Sequence, residues 1–124
     1  MRETINATNA PAAVGPYVHA VKAGNTLYTS GQLGLIPATG ELPEGVEAQA
    51  VQALENLKAV VEAGGMTLAD VVKTTVFLSD MANFVAMNEV YAQFFSQPFP
   101  ARSAVAVKDL PKGALVEIEV LAVK

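Results

Sequence analysis

The stretch VEAQAVQALENLKAVVEAGGMTLADVVKTTVFL, Val46 to Leu78, changes its hydrophobic period once, and that change decides the class of fold. From Val46 to Ala63 the residues Val46, Ala50, Ala53, Leu54, Leu57 and Val61 recur three and four apart, while Gln49, Gln52, Glu55, Lys58 and Glu62 face elsewhere. That spacing lays one apolar stripe along an α-helix. Gly64 and Gly65 stop it, because glycine supplies the left-handed conformation that helix ends favour. Val71 to Leu78 is β-branched and alternating, with Val72, Thr74, Val76 and Leu78 on one face and Val71, Lys73, Thr75 and Phe77 on the other. Both faces are largely apolar or small.

Working outward, Asp80 is an N-cap for a second helix with the stripe Phe84, Met87, Tyr91 and Phe94, ending before Pro98. Ala101 to Val107 and Ala114 to Val123 have strand character around a turn at Asp109 to Gly113. In the last strand Val116, Ile118, Val120 and Ala122 share a face fit for packing under helices. Leu115, Glu117, Glu119, Leu121 and Val123 fall on the other. Upstream, Asn9 to Pro16 reads as extended or turning, since it holds two prolines and a glycine. Tyr17 to Lys22 and Thr26 to Ser30 flank Gly24-Asn25 as a hairpin, and Leu33 to Gly45 reads as a loop with at most short extended pieces. The whole is α+β, a mixed and mainly antiparallel sheet with two helices across one face, in a single domain over residues 1–124.

The chain is 52% hydrophobic and 16% charged, against about 25% charged in typical domains, so polar material is scarce for covering a monomer. The sheet face bearing Glu117 and Glu119 needs a cover that the helices cannot supply, which points to self-assembly. A net charge of -4 and only eight scattered Lys and Arg offer no basic stripe for a phosphate backbone, so nucleic acid is not an expected partner. There is no cysteine, no apolar leader at Met1-Arg2-Glu3-Thr4 and no run long enough to span a bilayer, from which a cytosolic protein without membrane association is expected. One histidine and scattered aspartates have no metal-ligand spacing, so no metal or other cofactor is expected.

Phe99-Pro100-Ala101-Arg102-Ser103-Ala104-Val105 sets an arginine among apolar and small residues, with Ala104 and Ala106 on its strand face. A guanidinium is always charged at neutral pH, and its rigid fork matches a carboxylate bidentately. Its partner is either a carboxylate ligand or an internal carboxylate, and Glu117 and Glu119 are available for the second. On spacing alone the internal ion pair is the commoner arrangement. Glycine at Gly31, just past a strand end, either is a plain turn residue, at least as common an arrangement, or allows close approach of a ligand or another backbone, with Ser30 hydroxyl and backbone N–H groups as donors. Asn88 lies one turn beyond Phe84, where a lone amide is most often a surface group. His19 on a strand is more often solvated or satisfied in the core than catalytic.

Gly15-Pro16-Tyr17, Tyr28 to Gln32, Lys73 to Leu78, Asn88 with Tyr91, Phe99 to Ser103 and Val116 to Glu119 stand in the order and spacing of one family, across nearly the whole chain. In these motifs the sequence resembles the reactive-intermediate deaminase (Rid, or YjgF) family. The resemblance implies a chorismate-mutase-like fold assembled as a homotrimer, with ligand pockets between subunits. It implies hydrolytic deamination of 2-imino acids and their enamine tautomers, such as 2-iminobutanoate and 2-iminopropanoate, to 2-oxo acids and ammonia. Carried over by position, Arg102 matches the arginine that clamps the substrate carboxylate and Glu117 the glutamate that orients the attacking water, the two catalytic positions. Tyr17, Ser30, Gly31, Asn88 and Ala104 match substrate-binding positions. Ala104 stands where many relatives carry cysteine, and His19 where many carry glutamine. A non-catalytic trimer that binds small carboxylates is the alternative reading; an RNA-directed activity, attributed to some relatives, fits the acidic balance poorly.

Overall fold

The computed structural model describes residues 2–124, with strands β1 (Arg2–Ile5), β2 (Ala20–Ala23), β3 (Thr26–Thr29), β4 (Gln32–Leu33), β5 (Val71–Leu78), β6 (Ala101–Ala106) and β7 (Val116–Val123), and helices α1 (Val46–Ala63) and α2 (Phe84–Phe94). The strands form one sheet in the order β1-β2-β3-β7-β5-β6, with β4 also on β7. All pairings are antiparallel except β5 with β6. That parallel pair is joined by α2, the kind of crossover parallel strands require. The α+β reading with a mixed, mainly antiparallel sheet and both helices on one face therefore holds.

Helix α1 ends as its two glycines dictate. Gly65 takes φ 83°, its N–H donates to the Glu62 carbonyl, and the Met66 N–H donates to the Val61 carbonyl. Those two bonds satisfy carbonyls that the last turn would leave unpaired. The predicted stripe of α1 is buried throughout, against Val76, Val116, Ile118 and Val120 of the central strands. A fully buried Leu or Val side chain contributes about 1.5–3 kcal/mol, so Leu54, Leu57 and Val60 fix this helix against the sheet.

Gln49 was placed away from the core by its spacing, yet it is buried. Its amide donates to the Pro43 carbonyl at 3.0 Å and its Oε1 accepts the Leu115 N–H at 2.8 Å, so it ties two loops to α1. Buried Asn56 does the same for the segment after β4, donating to the carbonyls of Leu33 and Leu35. In β5 the register shifts between Val71 and Lys73, so Val71 turns toward the helices and Val72 is exposed. This reverses the predicted faces of those two residues, because one extra residue in a strand inverts the alternation on one side of it.

The hairpin turn at Gly24-Asn25 is present, but β2 starts at Ala20 rather than Tyr17, and β3 ends at Thr29. Strand β1 was not foreseen, since Arg2, Glu3 and Thr4 are exposed and polar, as suits a protected sheet edge. His19 explains the shortened β2. It is buried, its Nδ1 accepts the Ala7 N–H at 2.9 Å and its Nε2 donates to the Pro11 carbonyl at 2.7 Å, holding residues 6–19 as a loop. The ring is thus the core-satisfied histidine, not a catalytic one. His19→Leu strands both backbone groups and is expected to lower stability by about 2 kcal/mol or more in urea unfolding at fixed protein concentration. A loss below about 0.5 kcal/mol would show that the loop is held by other contacts.

Candidate active site

Arg102 lies on β6, an edge strand, opposite Thr74 in the parallel pairing, with Ala104 opposite Val76. Thr74 and Val76 are fully buried under the helices, so Arg102 and Ala104 face the same side. There α2 presents Phe84, Asn88 and Tyr91 at spacings of four and three, one helical stripe. The Arg102 Nη1 donates to Asn88 Oδ1 at 2.6 Å, and its guanidinium carbon lies 4.7 Å from the Tyr91 ring centre and 5.4 Å from that of Phe84. The charge is held by a neutral amide and two rings, which leaves most of its five N–H donors for another partner. A cavity of about 400 Å³ opens beside it, lined also by Ala92, Phe99 and Pro100.

Glu117 and Glu119 cannot be its internal partners. Glu117 pairs with Phe77 and Glu119 with Thr75, on the opposite face of the sheet from Arg102. The ion-pair alternative is thereby overturned by the pleat: odd-numbered residues of β7 point away from the helices. That face is uncovered in the single chain. Tyr28 is half exposed there, and Glu117, Glu119, Leu121 and Val123 are each partly exposed.

The local surroundings of Glu117 come from an irregularity between β3 and β7. The ladder stops at Tyr28 opposite Leu121 and resumes at Gln32 opposite Ile118, leaving residues 29–31 against residues 119 and 120. Thr29 bridges the gap: its Oγ1 accepts the Val120 N–H at 2.9 Å and donates to the Val120 carbonyl at 3.2 Å. Gly31 is thereby pressed onto the carboxylate, so closely that a Cβ there would lie 2.8 Å from Glu117 Oε2. Burial, and secondarily the charge of Glu119, hold the Glu117 carboxyl above its ordinary value of 4.5. A carboxylate whose pKa is raised is a stronger base than one in water.

A cavity of about 300 Å³ joins Glu117 and Gly31 to Tyr17, with Gln32, Leu33 and Lys112 among its other walls. Tyr17 is half exposed. Ser30 does not supply the donors expected of it. Its hydroxyl donates to the Val18 carbonyl at 2.6 Å and its N–H to the His19 carbonyl at 2.8 Å, so it braces the loop and offers a ligand only acceptor lone pairs. The seven predicted positions thus fall into two groups within the single chain: Arg102, Ala104 and Asn88 on the helix side of β6, and Tyr17, Ser30, Gly31 and Glu117 around β4 and β7. A larger groove of about 670 Å³ between α1 and the segment after α2 holds none of them. The contribution missed in the sequence is the contact of Tyr91 and Phe84 with Arg102: Phe84 was legible only as part of an apolar stripe, and Tyr91 as part of that stripe and of a family motif with no role attached.

The family model described as endoribonuclease L-PSP matches residues 7–124. The 2-iminobutanoate/2-iminopropanoate deaminase of Escherichia coli strain K12 is 51% identical over 127 residues, covering 100% of this chain and 99% of that protein. Among solved structures, RidA from the Antarctic bacterium Psychrobacter sp. PAMC 21119 superposes with a TM-score of 0.96 at 54% identity, over 98% of this chain and 99% of that one. E. coli TdcF with bound serine gives a TM-score of 0.94 at 46% identity, over 98% of each chain. Matching across nearly the whole length in sequence, family model and backbone, the chain belongs to the Rid (YjgF) family.

Proposed function

We propose that this protein hydrolyses reactive 2-imino acids and their enamine tautomers, 2-iminobutanoate and 2-iminopropanoate among them, to 2-oxo acids and ammonia. The observation that carries the reading is the setting of Arg102, a partly buried cation held by neutral groups with its fork unspent. Such a fork takes a substrate carboxylate bidentately and aims the adjacent C2. The deaminase relative supports the reaction class. A protonated imine is already electrophilic, so the protein has little to do beyond positioning. The oxygen of a bound water adds to C2 while Glu117 takes a proton. The carbinolamine nitrogen takes that proton, the C2–N bond breaks as the C2=O bond forms and Glu117 accepts the hydroxyl proton, which it then passes to the departing ammonia as ammonium, restoring the carboxylate.

Arg102 and Glu117 lie on opposite faces of one sheet, so a site using both takes them from two copies. Such an interface joins two different patches and closes as a ring, for which the trimer implied by the family motifs is the assembly proposed here. Light scattering should give three times the 12.9 kDa chain mass. Mixing decides the arrangement of residues. Arg102→Ala and Glu117→Gln chains, each inactive alone, should on co-refolding in equal amounts recover about a quarter of the native activity, since about one interface in four then has both residues intact. No recovery in confirmed mixed trimers would reject the shared site, and a monomer would reject the assembly.

A second reading, a ligand-binding trimer without catalysis, draws support from the serine-bound relative. It predicts carboxylate binding with no shortening of imine lifetime when a threonine dehydratase supplies the substrate.

A further inference from the structure

We infer that Tyr91 is a positioning residue for this reaction: its ring, anchored by Thr74, holds the Arg102 guanidinium in the plane in which it grips a carboxylate. The inference rests on the proposed role of Arg102. An arginine beside a binding cavity needs to be held without being neutralised, since a carboxylate that orients it also competes with the ligand. An aromatic face meets that need. It attracts the cation through its quadrupole and uses none of the N–H donors.

The ring is itself buried and held by two contacts. Tyr91 is 6% exposed, its hydroxyl lies 2.8 Å from Oγ1 of the fully buried Thr74, and its ring centre lies 4.7 Å from that of Phe95. Thr74 is the residue opposite Arg102 in the β5–β6 pairing. Tyrosine and arginine are therefore referenced to the same point of the sheet, one by a hydrogen bond and the other by strand register. Asn88, at 2.6 Å from Nη1, holds one arm of the fork while the Tyr91 ring centre lies 4.7 Å from the guanidinium carbon. A ring placed only to fill the core would pack equally well with any electron density. One placed to hold a cation would not.

That difference is the test. Tyr91→Leu should raise KM for 2-iminobutanoate and Kd for the product 2-oxobutanoate by about tenfold with a smaller change in kcat, and Tyr91→Phe, which keeps the ring, should restore both to within about threefold. Replacing Tyr91 by phenylalanine carrying one, two and three ring fluorines changes shape little but drains the π face. Kd should climb at each step, with unfolding midpoints and assembly state checked for every variant. A Kd that stays flat across the fluorinated series overturns the inference, and that series decides even if Tyr91→Leu does not fold. Arg102→Ala in the same titration separates the two levels. If it leaves 2-oxobutanoate binding intact, the carboxylate-clamp reading fails; if it abolishes binding while the series stays flat, only the role of Tyr91 is lost.

Discussion

Arg102→Ala is expected to lower kcat/KM for 2-iminobutanoate by about 10³-fold without unfolding the protein, because the proposed clamp would lose two charge-assisted hydrogen bonds to the substrate carboxylate. Arg102→Lys should be nearly as poor. A lysine ammonium is a point charge on a flexible stem, and it cannot reproduce the bidentate fork. Folding is expected to survive because Arg102 is paired with a neutral amide rather than a buried carboxylate, so its removal leaves no unpaired charge behind. Asn88 keeps access to water through the adjoining cavity. The measurement is the imine decay rate in a coupled dehydratase assay, with circular dichroism and light scattering on each variant. Full activity in both would sink the clamp role.

Glu117→Gln is expected to lower kcat by about 10²-fold or more with little change in KM, since it keeps the shape and one acceptor oxygen but removes the base. Glu119→Gln should be nearly silent: Glu119 faces the same side, beside Lys73 and Thr75, but not the cavity that contains Tyr17 and Gly31. If Glu119→Gln were the crippled variant, the assignment would be wrong. Near-normal rates in both would mean that positioning by Arg102 suffices, with no carboxylate base needed. With Glu117 as the proposed base, its raised pKa predicts a pH signature for the reaction. The base form is lost as pH falls, so kcat/KM should drop through a value above 4.5, and Glu117→Gln should abolish that limb. Stability runs the other way. The folded chain holds this proton more tightly than the unfolded chain, so the contribution is present below the unfolded pKa and is lost as pH rises through the folded one. At neutral pH, Glu117→Gln should therefore unfold no more easily than the native protein, even though it is inactive.

The elements that carry the fold were legible from periodicity because their pattern is decided locally. The bounds of α1 and β5 and the buried alternation of β7 coincide with what spacing alone predicts, since a helix or strand with one covered face must repeat its apolar residues at its own pitch. Membership of the family was legible as well, because six short motifs in order already restrict the chain to one arrangement. What spacing could not show is which side of the sheet a residue reaches after an irregularity. The extra residue at Val72 reverses two side chains, and the three residues set against two at Thr29 to Gly31 press a glycine onto Glu117. Nor do linear patterns price a side chain's partners. Gln49 and Ser30 read as free polar groups, and both are consumed by loop backbone that only the folded chain brings near. Arg102 is the clearest case. By spacing alone its commoner mate was Glu117 or Glu119, and only the family motifs favoured a ligand; the pleat sends those carboxylates through to the far face while strand register and the pitch of α2 bring Asn88 and Tyr91 to the near one. The charge of the arginine was written in the chain; what it is left free to bind was settled by which face of the sheet each residue occupies.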